Sequence, residues 1–278
     1  MSKEKVLVIG ASGTVGSSLV QELQNKDVEV VQAPSRKPTS SHQVQLNLVT
    51  GEGVKQAFEG IDKAYLLSPP GVADQYSVLS PLIQEAKRRG LKKVVLMTAM
   101  GADADPESPF RRAEVELEQS GLTYNIIRPN WFYQNFNTFW VQGIVEQNKI
   151  LLPAGNVKVS FIDARDIAAV AATLLTTDEF DNQAFNLSGL DAVDHSEVAQ
   201  AISNVVSREV TYEEIEPEVL KAGLLGAGLP EDYVDFMLLI FGFLREGYNA
   251  GLTDEVEKIL GRKPRGLNQY TEDFKKAW

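Results

Sequence analysis

Glycines at positions 10, 13 and 16 stand three apart in the stretch VIGASGTVGSSLV, directly after the apolar run KVLVIG. A strand that turns through glycine into a helix leaves free backbone N–H groups and the positive end of the helix dipole facing outward, a combination that holds phosphate. Gly10 permits the tight turn, Gly13 lets a pyrophosphate approach the backbone, and Gly16 lets helix and sheet pack closely. Gly10, Ala11, Ser12, Gly13, Thr14 and Val15 are the expected phosphate-facing set. The bland alternative is a flexible turn with no ligand, and the strand–turn–helix context weighs against it. A second group follows in VVQAPSRKP, where Arg36 and Lys37 close the second strand pattern with no carboxylate after Glu29. A carboxylate at that point would bind the ribose hydroxyls of NAD and repel a 2′-phosphate, whereas an arginine fork grips the phosphate. The expected cofactor is NADP(H), against the alternative of a solvated basic loop.

A third group is the aromatic loop RPNWFYQNF. Trp131, Phe132, Tyr133 and Phe136 could offer flat surfaces to an aromatic substrate, or could be core packing between two lobes. Tyr133 is the phenol nominated as a proton donor, and Asn130 and Thr98 are nominated to orient a substrate oxygen. The two histidines, His42 and His195, are far apart in sequence and there is no cysteine. A metal site, a disulfide or a thiolate nucleophile is therefore not expected.

These groups need a scaffold, and the patterning supplies one. Apolar strand patterns at Val6–Ile9, Val28–Val31, Val44–Leu48, Ala64–Leu67, Val94–Met97 and Tyr124–Ile127 alternate with helical spacing, as at Thr14–Lys26 and Gly53–Glu59. That rhythm predicts an α/β fold with a Rossmann-like, doubly wound parallel sheet and a smaller, mainly helical C-terminal region. The expected boundaries are 1–150 for the dinucleotide-binding part and 151–278 for the substrate region, with a strand near 184–188 returning to the main sheet. Residues 159–175 read as a strand continuing into a helix capped by Asp163 or Asp166. Asp194 and Glu197 have capping-box spacing, and 212–260 reads as helical and leucine-rich. Within it YVDFMLLIFGFLREGYNAG is too apolar for a solvated helix; core, lid and dimer contact are its possible roles, core being expected.

Charge narrows the partners. Thirty-eight acidic and 27 basic residues give a net charge of -11, a poor match for nucleic acid. The run FMLLIFGFL falls well short of the ~20 residues that cross a bilayer. With no signal-peptide pattern, the expectation is a cytoplasmic protein acting on a small aromatic molecule, a homodimer being possible.

The spacing G-x-x-G-x-x-G resembles the short-chain dehydrogenase/reductase superfamily, in particular its atypical, NmrA-like branch. GIDKAYLLSPPG, KKVVLMTAMGA, AEVELEQSGLTYNIIRPNWFYQNF, FIDARDIAAVAA and LGRKPR are similar to that branch as well, so the resemblance covers nearly the whole chain. It implies that Asn47 and Leu48 lie beside the adenine, that Ser68, Pro69 and Pro70 line the nicotinamide ribose, and that Pro129, Asn130, Trp131 and Phe132 run past the nicotinamide. The chain departs from the pattern in three places. Position 47 is more often aspartate, position 98 more often serine, and the Tyr-x-x-x-Lys dyad is missing, with Phe110 and Glu114 in the corresponding places. Two functions survive: a reductase whose acceptor needs little acid assistance (a quinone, an iminium or a cationic dye), or a redox-sensing regulator of the NmrA type that binds dinucleotide without turnover. Compact length and the aromatic loop favour the reductase.

Overall fold

A computed structural model describes residues 3–278; the first two residues of the expected 1–150 region lie outside the described residues. The elements are β1 (Glu4–Ile9), α1 (Thr14–Gln24), β2 (Val28–Ala33), α2 (Val54–Ala57), β3 (Lys63–Leu66), α3 (Gln75–Arg89), β4 (Lys93–Met97), α4 (Pro109–Glu118), β5 (Tyr124–Pro129), α5 (Val141–Gln147), β6 (Lys149–Leu152), α6 (Ala164–Thr176), β7 (Gln183–Leu187), α7 (His195–Val206), β8 (Thr211–Glu214), α8 (Pro217–Gly226), α9 (Glu231–Arg245), α10 (Glu255–Leu260) and α11 (Leu267–Asp273). A six-stranded sheet runs in the order β2-β1-β3-β4-β5-β7 with every pair parallel. From β1 the chain first moves outward to β2 and then back across to β3, so the winding reverses between β1 and β3. The crevice at the carboxyl ends of those two strands is where open α/β sheets take ligands.

The chain divides into two compact units. One holds residues up to Pro129 together with Ala164–Leu187 and Lys258–Gly261; the other holds Asn130–Asp163, Ser188–Glu257 and Arg262–Trp278. The division therefore falls at Pro129 rather than at 150, and the segment 164–187 returns to the first unit. Two buried lysines show why. Lys63 donates to the Leu175 carbonyl at 3.0 Å, and Lys93 donates to the Thr177 carbonyl at 2.7 Å and pairs with Asp181. Cations on β3 and β4 thus satisfy the orphaned carbonyls at the end of α6 and complement its dipole. β7 then adds to the sheet beside β5.

The expected capping box forms on α7 from Asp194 and Glu197. Asp74 caps α3, Gly90 at φ 66° ends it, and Ser108 caps α4 with Pro109 behind it. Other expectations fail. Residues 44–48 are not a strand: Gln43 makes an isolated bridge to Gln32, and Val44 and Leu46 donate to Gln32 and Pro34 as the segment passes the sheet edge. Residues 159–162 likewise make only isolated bridges, Val159 to Val193 and Ile162 to Phe132. The second unit instead contains a parallel pair, β6 with β8. α9 is not a core helix, since only Val234, Phe241 and Leu244 are buried while Leu239 and Phe243 remain 56% and 48% exposed. Its apolar residues encircle the helix, and one stripe packs. No helix among the described residues is long and apolar enough to cross a membrane.

Candidate functional site

Along the carboxyl edge of the first unit's sheet, the turn after β1 is built as the glycines require. Gly10 has φ 68°, a conformation that side chains resist, and a Cβ there would meet Leu67 at 3.0 Å. A Cβ on Gly16 would stand 2.1 Å from the Gly10 carbonyl oxygen, so α1 can begin this close to β1 only with glycine at that position. Gly13 is the N-cap of α1, in extended conformation, and no side chain caps the helix or places an acid in its first turn. The Ala11 and Val15 side chains are buried while Ser12, Gly13 and Thr14 are exposed, so what faces outward is backbone N–H and two small hydroxyls. An uncapped helix start of this kind has the free N–H groups that can cradle an anion.

Arg36 and Lys37 stand exposed in the loop after β2, and neither has an ion-pair partner among the described residues. Glu29, the nearby acid, pairs with Lys5 at 3.2 Å instead. The Asn47 side-chain oxygen accepts from the backbone of Val49 and Thr50 at 3.0 and 3.1 Å, which fixes its loop. Leu48 packs against the first unit's core. Beyond β3, the Ser68 hydroxyl is buried without a partner, and Pro69 and Pro70 continue the loop. Pro129 is buried at the end of β5, its carbonyl accepting from Met100 at 3.0 Å. An uncapped helix start, two unpaired cations and an orphaned hydroxyl along one edge fit a phosphorylated dinucleotide.

Thr98 carries a surprise for its nominated role. Its hydroxyl donates to Glu114 at 2.6 Å. Glu114 is wholly buried on α4 and is held by Arg128 from β5 through two bonds of 2.9 and 2.8 Å, with Arg111 at 3.0 Å. Arg128 reaches Asp103 at 2.6 Å as well. The position that in a Tyr-x-x-x-Lys helix would carry an ammonium here carries a carboxylate locked in a network. Its N-terminal neighbour in that motif is Phe110, packed against the apolar core. Sequence reasoning named Glu114 only as the place of a missing lysine and did not see Arg128, whose partner lies on another element.

The second unit holds the remaining nominees. Asn130 is 3% exposed, and its side chain is fully engaged: its amide donates to Ser160 at 2.7 Å and to the Asn249 carbonyl at 2.8 Å, while its oxygen accepts from Trp131 and Asn249 at 2.9 and 3.1 Å. Tyr133 has no exposed surface and stacks on Phe161 and Tyr270 at centroid distances of 5.6 and 5.1 Å. Its hydroxyl has no partner, and burial pushes its pKa well above the usual phenol range. Phe136 is also fully buried, so these two aromatics are core of the second unit. Trp131 and Phe132 stay half-buried, Trp131 lying 5.1 Å from Phe241. His195 sits among Phe136, Trp140, Phe161 and Tyr212 with both ring nitrogens unpartnered, and burial lowers its pKa to about 4.

The chain resembles known proteins over nearly its whole length. The sequence profile of the NmrA-like family matches residues 2–274. The chain is 33% identical to an NAD(P)H azoreductase of Xenophilus azovorans over 96% of both proteins. Its fold is similar to that of the Citrobacter sp. triphenylmethane reductase complexed with NADP(H), with a TM-score of 0.80 and 20% identity over 99% of this chain and 100% of the other. It is similar also to that of Nmra, a negative transcriptional regulator in complex with NAD, with a TM-score of 0.74 and 15% identity over 98% and 95% of the two chains.

Proposed function

The chain belongs to the NmrA-like family, and we propose on that footing that it is an NADPH-dependent reductase passing hydride to a small conjugated acceptor: a quinone, an iminium or an azo- or cationic dye. Gly10 to Val15 would hold the pyrophosphate, Arg36 and Lys37 the 2′-phosphate, Asn47 and Leu48 the adenine, and Ser68 to Pro70 the nicotinamide end. When bound, NADPH supplies the hydride; the protein's share is to orient the two flat partners and keep the cofactor fixed.

The observation that carries the acceptor class is the state of the nominated donors. Thr98 gives its only hydroxyl hydrogen to Glu114, Asn130 is saturated, and the Tyr133 phenol is buried and raised in pKa. None is poised to hand a proton to a nascent alkoxide, a contribution of ~10²–10⁴ in rate where it exists. A quinone that accepts hydride becomes a resonance-stabilised phenolate, which takes its proton from water. An iminium becomes a neutral amine directly. The test is loss of NADPH absorbance with a quinone and dye panel beside cyclohexanone. Turnover of the conjugated acceptors with cyclohexanone inert is expected, and robust cyclohexanone reduction would overturn the proposal. Binding of NADPH with no turnover of any acceptor would favour the regulator instead.

A further inference from the structure

α9 carries two apolar stripes, and one of them is packed. Val234, Phe241 and Leu244 are buried, and Phe241, Leu244 and Met237 belong to the second unit's core. Phe236, Leu239, Ile240 and Phe243 follow at i, i+3, i+4 and i+7, which puts them on the opposite side of the helix. There Leu239 and Phe243 stay exposed, as do Val219 and Leu225 on α8, a helix none of whose residues is buried. The loop 227–230 joins α8 to α9, and Lys221 of the first pairs with Asp235 of the second at 2.7 Å. We propose that the open face of this helix pair is a docking surface for a basic amphipathic helix of a partner protein.

Charge selects that occupant. Residues 213–246 carry eight acidic and two basic side chains. Both bases are committed, Lys221 to Asp235 and Arg245 to Glu214, and Glu213 pairs with Lys149 of β6. Glu216, Glu218, Glu231, Asp232 and Glu246 have no basic partner among the described residues. Asp232, Leu239 and Glu246 follow at heptad spacing, nearly one above another on α9, so the open stripe has a carboxylate at either end. An anionic membrane surface would be repelled here. So would a second copy of the chain, because a two-fold contact sets a patch against itself and like charges would face one another. A helix with apolar side chains at i, i+3, i+4 and i+7 and lysine or arginine on its flanks suits both features. Its anchors cover Leu239 and Phe243, and its cations meet the acids. Exposed apolar area rimmed by polar groups is the usual mark of such a site. None of these residues is among those assigned above to the dinucleotide or the acceptor.

The test uses the whole protein and a labelled lysine–leucine helix about five turns long, with leucines at i, i+3, i+4 and i+7, read by fluorescence anisotropy. The controls are its glutamate–leucine counterpart and a scrambled lysine–leucine isomer that keeps the composition and loses the stripe. The wild type should bind the lysine–leucine helix, bind the scrambled isomer about 10-fold more weakly, and ignore the glutamate counterpart. Leu239→Ser with Phe243→Ser should weaken binding about 10-fold or more. Asp232→Asn with Glu246→Gln should weaken it about 2- to 10-fold and flatten its dependence on salt. Equal affinity of the wild type for the scrambled isomer reduces the contact to adsorption by charge and overturns the proposal, and that comparison stands even should the serine variant fail to fold. A folded serine variant that binds as the wild type does overturns it too, as does a wild type that binds no peptide. Self-association of the chain that the serine pair abolishes would give the face to a second copy. A raised KM for a quinone in the serine variant, with peptide binding unchanged, would give it to the acceptor. Either result overturns the proposal.

Discussion

Acidification should unlock the second unit through a single imidazole. His195 is wholly buried among Phe136, Trp140, Phe161 and Tyr212, with no partner on either nitrogen, and burial lowers its pKa from 6.5 to about 4 against a small opposing pull from Asp194. A histidine depressed in the folded state binds its proton first in the unfolded chain. Stability is therefore intact above pH 6.5, falls as the pH drops from 6.5 towards 4, and loses nothing further from this residue once the folded imidazole is protonated too. A gap of about 2.5 units, at 1.36 kcal/mol each, caps the loss at about 3 kcal/mol, of which about 2 kcal/mol is already gone at pH 5. All three tryptophans, Trp131, Trp140 and Trp278, lie in this unit, so their fluorescence reports its unfolding directly. Urea titrations of the wild type and His195→Phe at a series of pH values isolate the term, since the carboxylates titrate in both proteins and cancel in the difference. The wild type should lose about 2 kcal/mol more than the variant between pH 7.5 and pH 5. A difference that stays flat across that range would refute the reasoning, as would a native-state His195 titration midpoint near 6.5.

Installing the superfamily dyad by Phe110→Tyr with Glu114→Lys should break the fold rather than extend the chemistry. It sets a third cation beside Arg111 and Arg128 at a site with no solvent exposure, and uncoupling a buried pair costs about 3–5 kcal/mol. A thermal melt should fall by about 10 °C or more, and a Tm within a few degrees of the wild type would count against the buried network. Arg36→Ala should shrink the preference for NADPH over NADH by about 10-fold or more, since a charge-assisted bond contributes about 1.5–3 kcal/mol. An unchanged ratio of the two dissociation constants would take the 2′-phosphate away from Arg36.

What the sequence disclosed was the chemistry of near neighbours. The glycine turn and the Asp194 capping box each depend on residues within a few positions, and each is legible because backbone geometry permits so few residue types there. The strand expected at 44–48 failed for the opposite reason: its apolar residues do pack inward, while ladder formation depends on a neighbour that only the folded sheet supplies. β6 and β8 were missed because each is short and their pairing spans some sixty residues of chain, Lys149 meeting Thr211. The strand near 184–188 was expected to rejoin the main sheet and does, as β7 beside β5; the same non-locality hid the return of α6 before it, which the lysines at 63 and 93 anchor from the far side of the chain. Composition alone misjudged α9, because apolar content does not say how many sides of a helix find a partner.

The missing dyad is better understood as a replacement. Arg128 is buried at the end of β5 and needs a counter-charge; Glu114 supplies it from α4, and Thr98 completes the carboxylate from β4. A lysine at 114 would serve a catalytic tyrosine but would leave Arg128 and the new ammonium facing one another. The choice of charge at this one position therefore ties three elements together and at the same time fixes which way the Thr98 hydroxyl points. With its hydrogen turned inward, that hydroxyl can hold a donor and cannot supply a proton. That is the physical ground for proposing an acceptor that needs no acid.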